Sequence, residues 1–517
     1  MKKISTILLV TVFSLFIFSG LILADSNVKD GGMITFPINS DPKVLNPMYG
    51  SDRVTMTINN AIYDPLLMIV DGQRQYFLAE SLKQKDDYKT YILKLKKNIK
   101  WHDGEAITAE DIIFTFEQIL DKEQHIHLRD YFVFDGKEMN VTKIDRRTVK
   151  FELPQISMAF VSSLVDVYPI PEHIYRGVED LQKTNKNNHP VGSGPFKFAD
   201  MRSGENVILS KFSDYYKGAP HLNKVVYRVI ADTNSANIAL KTAELSAKYV
   251  NPGDVKKFKG QKKYEVITFK ENMLDYLVFN LNSRKLKDKK VRQAIAYAID
   301  KKQLINGSYR SIEYADPAYS IFTTNTKFHT TNLKKYGYNL AKAKTLLKEV
   351  GKDNLELKLA YVNSDKTGKT MGLIIQQQLS QLGINIQLMA LDRGAFYNKL
   401  LDPENESFDL CFNGYVMGSE PDAYKSLFMA GQKYNFMNYN NPELDKLWKR
   451  GVVTTDRSKR AALYKKIQRQ IIEDMVEYPI AYPKSIVVIN SKYGGLEEAQ
   501  PAPIFMFRDL SKLYIKN

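Results

Sequence analysis

Residues 274–304 read LDYLVFNLNSRKLKDKKVRQAIAYAIDKKQL, and this stretch decides the fold. Its first part, residues 276–282, is aromatic and branched with near alternation, which predicts a β-strand. Its second part, residues 291–299, has apolar side chains at helical spacing and predicts an amphipathic helix. A buried strand that runs into a cationic helix near the middle of a long chain is typical of the point where one lobe is connected to another.

Polar residues around this strand and helix give the first candidates for function. Asp288 precedes the helix as a predicted N-cap, and Lys301 and Lys302 suit the negative C-terminal end of the helix. Asn280 and Asn282 offer side-chain amides with which a ligand could form hydrogen bonds. Taken alone, the local pattern favours an ordinary strand–loop–helix without a ligand.

Length and charge narrow the class of protein. A chain of 517 residues is too long for one hydrophobic core, so two or three domains are expected. The net charge of +16 comes mainly from scattered lysines, without an arginine-dense block, a zinc-finger motif or an RNA-recognition motif. No nucleic-acid partner is therefore predicted. Attraction to an anionic membrane surface or to acidic ligands stays open.

The N-terminus has the pattern of an export signal. Residues 1–24 contain Lys2 and Lys3, an apolar segment at 7–18 and small residues up to Ala24, which predicts a cleavable signal peptide. The apolar segment is short for a membrane span, although an uncleaved anchor stays an alternative. The only cysteine, Cys411, excludes an intrachain disulfide and a lipid anchor near residue 24, and its thiol is expected to be buried. The predicted location is the periplasm.

Strands and helices alternate through the second half of the chain. A helix capped by Asn339 is followed by predicted strands at 355–361 and 384–388 with a helix between them, and another strand is predicted at 408–415. Two further strands are predicted at 478–482 and 485–489. This order indicates an α/β lobe.

The sequence has no catalytic or metal-binding signature. It contains no GxSxG or HExxH motif, and its seven histidines have no partners at metal-ligand spacing, so no cofactor, metal or enzymatic activity is predicted. The Gly- and Pro-rich residues 189–196 (HPVGSGPF) lack the Lys-Ser/Thr pair of a phosphate loop and are interpreted as a domain crossover. Thirty-one tyrosines and 26 phenylalanines suit a large cleft for a flexible ligand. A secreted hydrolase that uses carboxylates in such a cleft is an alternative from another class.

Several segments, in order, resemble one family. They are YILKLKKNIKWHDGEAITAEDIIFTFEQI at 91–119, PVGSGPFKF at 190–198, YLVFNLNSRKLKDKKVRQAIAYAIDKKQLI at 276–305 and NGYVMGSEPDAYKSLF at 413–428. The chain is similar to the solute-binding proteins of peptide- and nickel-type ABC importers (family 5 extracellular solute-binding proteins). The similarity covers nearly the whole mature chain and is greatest to the oligopeptide-binding subgroup.

The resemblance implies an α/β, two-lobe periplasmic binding protein fold with an extra peripheral domain. A discontinuous domain I would comprise residues 25–65, 195–275 and 490–517. Domain II would be a peripheral insertion at 66–194, and domain III, the second lobe, would span 276–489. The strand at 274–282 would be one of the hinge crossings between lobes that close on a ligand.

The same resemblance implies a function and a site. The protein would be a monomer that binds an oligopeptide between its lobes, mainly through main-chain hydrogen bonds, and passes it to a membrane permease and ATPase. The ligand-binding residues would come from the strand at 274–282 and the loop at 413–424: Asn280, Asn282, Tyr415, Met417, Glu420, Asp422 and Tyr424. Relatives that bind the peptide amine carry an aspartate where this chain has Met417. Asp422, with Glu420 second, is then the expected partner of the amine, and a non-peptide solute such as a metal chelate, a saccharide or a modified peptide is the alternative cargo.

Overall fold

The computed structural model describes residues 28–50, 52–70, 72–352 and 354–517. The predicted signal peptide lies outside these residues. Within the described ranges, no helix is both long and apolar enough to cross a membrane.

Helices are concentrated in the second half of the chain. In chain order they are α1 (Arg53–Ile62), α2 (Ala109–Leu120), α3 (Phe160–Ser163), α4 (Glu172–Tyr175), α5 (Thr233–Lys241), α6 (Lys289–Ala298), α7 (Lys301–Tyr309), α8 (Leu340–Glu349), α9 (Lys366–Ser380), α10 (Arg393–Leu400), α11 (Lys425–Phe428), α12 (Pro442–Val453) and α13 (Arg457–Asp474). Short 3₁₀ turns lie at Lys122–Gln124, His127–Tyr131, Leu164–Asp166, Asn185–Asn188, Pro252–Lys257, Pro421–Tyr424 and Leu510–Lys512.

Strands occur along the whole described chain. They are β1 (Val28–Lys29), β2 (Met33–Ile38), β3 (Leu67–Val70), β4 (Gln73–Tyr76), β5 (Ala79–Gln84), β6 (Thr90–Leu95), β7 (Val133–Phe134), β8 (Lys137–Glu138), β9 (Asn140–Asp145), β10 (Thr148–Glu152), β11 (Phe196–Arg202), β12 (Asn206–Lys211), β13 (Lys224–Val229), β14 (Ala247–Tyr249), β15 (Tyr264–Lys270), β16 (Leu274–Phe279), β17 (Ala315–Pro317), β18 (Glu356–Val362), β19 (Asn385–Leu391), β20 (Leu410–Tyr415), β21 (Glu477–Asn490), β22 (Tyr493–Gly494), β23 (Pro501–Ala502), β24 (Met506–Phe507) and β25 (Tyr514–Lys516).

The stretch at 274–304 folds as a strand followed by two helices. Asp288 caps α6 as predicted, because its side chain accepts a hydrogen bond from the Lys290 amide. The expectation for Lys301 was wrong: it begins α7, which Asp300 caps, instead of neutralising the end of α6. Its ammonium group is buried and donates to the carbonyl oxygens of Ala318 and Pro479. Lys301 therefore connects the start of α7 to β21 inside the lobe.

A four-stranded sheet in the order β11-β12-β13-β2 forms the first core. β2 pairs in parallel with β13, and α1 packs against β11. Residues from the beginning, the middle and the end of the chain meet here, including Phe36, Tyr227 and Phe507. Such a core requires a chain that leaves this body and returns to it.

The buried residues of a second core all lie between Met48 and Leu181. Its antiparallel sheet has the order β5-β6-β10-β9, and α2 packs on that sheet. Trp101 is fully buried and its indole N–H donates to Asp111 of α2 over 3.2 Å. The residue limits of the three domains stay a prediction.

The largest sheet connects two of the buried clusters through one long strand. β21 pairs at its start with β16 and at its end with β14 and β15, in the order β14-β21-β16-β20-β18-β19. Two separate strands at 478–482 and 485–489 were predicted, which was wrong. Pro479 and Pro483 interrupt the sequence pattern, but both lie within a continuous strand. The cluster of buried residues around β16 and β20 includes Cys411, whose thiol is free as expected.

Candidate functional site

The chain crosses between the two halves of the large sheet at two neighbouring points. Residues 271–273 connect β15, on the β14 side, to β16, and the middle of β21 makes the second crossing. Glu271, at the first crossing, accepts a hydrogen bond of 2.7 Å from Arg53 at the start of α1. The crossing thus lies just before the strand in which the sequence placed it.

Strand β20 has a free edge close to these crossings. It pairs with β16 from Leu410 to Tyr415, but with β18 only at Leu410 and Cys411. The edge that faces away from β16 is therefore without a partner strand beyond Cys411, which is the arrangement that accepts an added extended chain.

Beyond Tyr415 the chain continues as what we call the 416–420 segment (VMGSE). The main-chain N–H groups of these five residues donate to no acceptor in the described part of the chain. Three carbonyl groups of the segment are occupied. Thr326 donates to that of Gly418 over 3.1 Å, the Lys327 amide to that of Ser419 over 2.9 Å, and the Ala423 amide to that of Glu420 over 3.3 Å. Val416 is 44% exposed. The segment thus offers main-chain donors and few free acceptors.

Asn280, a predicted ligand contact, is 1% exposed and fully hydrogen-bonded. Its amide group donates to the carbonyl oxygens of Asn405 and Phe408 over 2.7 and 3.0 Å. Its oxygen accepts from the Asn282 amide and from Asn438. This geometry favours a role in holding the loop after β16, and the proposed ligand contact stays untested.

Asn282 lies at the edge of the same loop. Its side-chain amide donates to the carbonyl oxygen of Pro403 over 2.6 Å. The two asparagines were expected to act together on a ligand; the structure instead shows each bound to main chain of the 403–409 region.

Two predicted tyrosines lie behind the 416–420 segment. The Tyr415 hydroxyl donates to the Ile321 carbonyl over 2.6 Å, and the Tyr424 hydroxyl is 2.9 Å from that of Thr326. Both side chains are buried, Tyr424 completely. In this position they support the segment, because neither hydroxyl faces solvent.

Glu420 is neutralised on both sides. The buried Arg460 of α13 donates to one carboxylate oxygen, and Lys327 lies 3.2 Å from the other. Because these partners already satisfy the carboxylate, a ligand amine would have to displace one of them.

Asp422 is also buried, with Lys425 at 3.0 Å from its Oδ2. Its Oδ1 has no hydrogen-bond partner among the described residues. Burial raises the pKa of this carboxyl, and the nearby Lys425 opposes that shift. Met417 is half-buried and packs against the core around β16. The structure brings Met417, Glu420 and Asp422 into one loop, as expected.

Two carboxyl groups with raised pKa values were not singled out by the sequence, and the first lies beside Tyr415. Glu477, at the start of β21, is completely buried, and burial raises its pKa well above the usual range. The Tyr415 hydroxyl donates toward its Oε1 over 3.1 Å as well as to the Ile321 carbonyl, and this hydrogen bond opposes the rise in the pKa of Glu477. Its position in an apolar run, VEYPIAY, is the signal that could have identified it.

The second is Asp166, which is exposed and has no ion pair or hydrogen bond among the described residues. Burial by the surrounding protein raises its pKa to about 6, and it contributes to the raised pKa of Tyr131. From the same body as Asp166, the Met158 amide donates to the Val452 carbonyl over 2.9 Å, so residues 48–181 contact α12.

The arrangement suits the binding of an extended ligand. No group of three or more potential metal ligands occurs in the described part of the chain. What the site presents is a free strand edge, a run of main-chain donors and buried aromatic support.

A family model describes most of the chain. The model for bacterial extracellular solute-binding proteins, family 5 middle, matches residues 74–438. Among curated proteins, the chain is 28% identical over 493 residues to the oligopeptide-binding protein AppA of Bacillus subtilis, covering 90% of this chain and 89% of AppA.

Solved structures have the same fold. The ABC transporter substrate-binding protein CtaP of Listeria monocytogenes is 44% identical, with a TM-score of 0.92, covering 94% of this chain and 100% of CtaP. The B. subtilis AppA structure, in complex with a nonapeptide, is 26% identical with a TM-score of 0.80 over 95% of this chain and 100% of AppA. NikZ of Campylobacter jejuni, solved with Ni(L-His), has a TM-score of 0.81 at 21% identity over 93% of this chain and 99% of NikZ, which shows the fold alone.

Proposed function

Because the chain belongs to family 5 of the bacterial extracellular solute-binding proteins, we propose that it binds oligopeptides along the free edge of β20 and delivers them to an ABC importer. The family consists of substrate-binding proteins of ABC transporters, so the chain is a binding protein and not an enzyme. The family is extracellular, and we propose the periplasm as its location.

The free strand edge is the observation that carries the proposal. β20 loses its β18 partner after Cys411 and runs directly into the unpaired N–H groups of the 416–420 segment. An extended peptide laid along this edge would form main-chain hydrogen bonds, which every sequence can supply. Affinity would then depend little on side-chain identity.

The two crossings supply a means of closing on the cargo. Among the described residues, the chain passes between the halves of the large sheet at residues 271–273 and in the middle of β21, so the lobes can rotate while each core stays intact. We propose a monomer that closes on the peptide. Small-angle scattering should show a smaller radius of gyration with peptide than without it, and an unchanged radius would contradict closure.

The cargo is tested directly by the ligand that the purified protein retains. Denaturation of the purified protein should release the bound ligand, and mass spectrometry should identify it as peptides of mixed sequence. Calorimetry with unrelated peptides of one length should then give binding free energies within about 3 kcal/mol of each other. A single non-peptide mass, or binding restricted to one sequence, would contradict the proposal.

A non-peptide solute is the second candidate. It is favoured by Met417, which removes the aspartate that relatives use for a peptide amine, and by the pairing of Glu420 with Arg460. A metal chelate, a saccharide or a modified peptide would each give a characteristic mass in the same experiment.

A further inference from the structure

We propose that the 416–420 segment binds a carbonyl or carboxylate oxygen at one end of the cargo, and not a free ammonium group. This inference rests on the proposed function, since it specifies the chemistry of a peptide end within the same cleft.

The first argument is the balance of hydrogen-bonding groups. Five consecutive main-chain N–H groups, from Val416 to Glu420, have no acceptor in the described residues. The carbonyl oxygens of Gly418, Ser419 and Glu420 already accept from Thr326, the Lys327 amide and the Ala423 amide. An ammonium group has only donors, whereas a carbonyl or carboxylate oxygen has only acceptors, so the segment is complementary to the oxygen.

The second argument is charge. Glu420 and Asp422 are the carboxylates of this loop, and three cations contact them: Arg460, Lys327 and Lys425. The cluster therefore has one more positive than negative charge. The side chains of Lys327 and Lys425 are 40% and 46% exposed, so their charge extends toward solvent while the carboxylates, at 5% each, stay inside.

The third argument is that no carboxylate oxygen of the loop is accessible to an ammonium group. Asp422 has one unpaired oxygen, Oδ1, but that atom is buried. Met417 contributes only a thioether, which is a weak acceptor. A ligand ammonium at this point would be desolvated without a partner, at a cost of several kcal/mol.

The backbone geometry of the segment supports an acceptor ligand. Gly418 has φ +69°, and no other atom lies within 4 Å of the position where its Cβ would be. A left-handed residue within a run of free N–H groups allows successive donors to converge, as they do in anion-binding main-chain turns.

Two peptide ends carry the required oxygen. One is the carboxylate of a free C-terminus, and the other is the acyl carbonyl of an N-terminally blocked peptide. They differ in charge, so peptides with defined ends distinguish them.

The test uses one peptide sequence in four forms, with the N-terminus free or acetylated and the C-terminus free or amidated, in calorimetry with the full chain. We expect the acetylated forms to bind at least as tightly as their free-amine counterparts. A loss of about tenfold on amidation would identify the carboxylate as the bound group. If amidation has no effect, the acyl carbonyl is the bound group.

Free-amine forms that bind more than about tenfold tighter than acetylated ones would overturn the inference. Failure of all four forms to bind would overturn the proposed function and this inference with it.

Two variants at Met417 test the same inference through a change in preference between free and acetylated peptides. Met417→Asp places a carboxylate among the donors and should shift the preference toward the free amine by about tenfold or more. Met417→Asn has nearly the same shape without the charge and should not cause the shift. If both variants, shown to be folded by circular dichroism, keep the wild-type preference between free and acetylated peptides, the segment does not contact that end of the cargo and the inference is wrong.

Discussion

Arg460 on α13 donates to the carboxylate of Glu420 in an ion pair whose side chains are only 4% and 5% exposed. The same guanidinium group donates through Nε to the Gly451 carbonyl over 2.8 Å. Two helices, α12 and α13, are therefore attached to the last residue of the 416–420 segment. The pair holds the segment in place from inside the lobe, which explains why Glu420 is not free to act on cargo.

Breaking this pair should be costly. Arg460→Met leaves the Glu420 carboxylate buried with only Lys327, and we expect the free energy of unfolding to fall by about 3–5 kcal/mol. Urea denaturation measures the loss. Glu443→Gln, which breaks the exposed ion pair with Lys446, serves as the control and should change stability by less than about 0.5 kcal/mol.

A double variant separates charge from packing. Arg460→Met combined with Glu420→Leu removes both charges, so it should recover most of the stability lost in the single variant. If the double variant is as unstable as the sum of the two single variants, the pair is not energetically coupled and the interpretation of the contact fails.

The crossover at 189–196 requires glycine at the positions where its backbone contacts α1. Gly192 and Gly194 lie against α1: a Cβ at Gly192 would overlap the Ile62 carbonyl, and the Gly194 amide donates to that carbonyl over 2.8 Å. Gly192→Ala should therefore cost about 1–3 kcal/mol. Gly337→Ala, at an exposed glycine with open space around its Cβ, is the control in thermal unfolding and should leave the melting temperature nearly unchanged.

Local sequence signals predicted much of the secondary structure. The alternating residues 33–38 form β2, and Thr108 and Asp111 form a capping box at the start of α2. Asp288 and Asn339 cap the helices that the apolar spacing predicted. These features depend on residues close in sequence, which is why they can be predicted from a single sequence.

Long-range partners were not predictable in the same way. Nothing near Glu420 in sequence indicates Arg460, which lies 40 residues away on another element. The amides of Asn280 suggested a ligand contact, but the carbonyl groups that they bind belong to residues 125 and 128 positions further along. The single long β21 was missed because two prolines normally limit a strand, and its pairing with four other strands could not be inferred locally.

Asp275 on β16 should make stability depend on pH. Burial raises its pKa to about 7, the hydrogen bond from Tyr309 opposes the shift, and the negative charges of Asp365 and Glu271 add to it. Between about pH 4 and 7 the unfolded chain has released this proton while the folded chain retains it, so stability contributed by this group falls as pH rises.

Asp275→Asn removes that effect. Relative to the wild type, the variant should gain about 3 kcal/mol in unfolding free energy between pH 4.5 and 7.5, measured by urea denaturation at both values. Tyr309→Phe removes the hydrogen bond that lowers the pKa, so in this variant the fall in stability should extend to higher pH. Parallel pH profiles for all three proteins would contradict this account.

Substitution of Asn280 distinguishes a structural role of its side chain from direct contact with the ligand. Asn280→Ala leaves the buried carbonyl groups of Asn405 and Phe408 without donors, so the free energy of unfolding should fall by about 2–4 kcal/mol. Peptide affinity, measured by calorimetry per folded molecule, should stay within about twofold, because the amide is buried away from the free edge of β20. Asn282→Ala, at the edge of the same loop, loses one exposed hydrogen bond to Pro403 and should cost less than about 1 kcal/mol. If Asn280→Ala keeps its stability but loses peptide affinity, the side chain contacts the cargo, as the sequence first indicated.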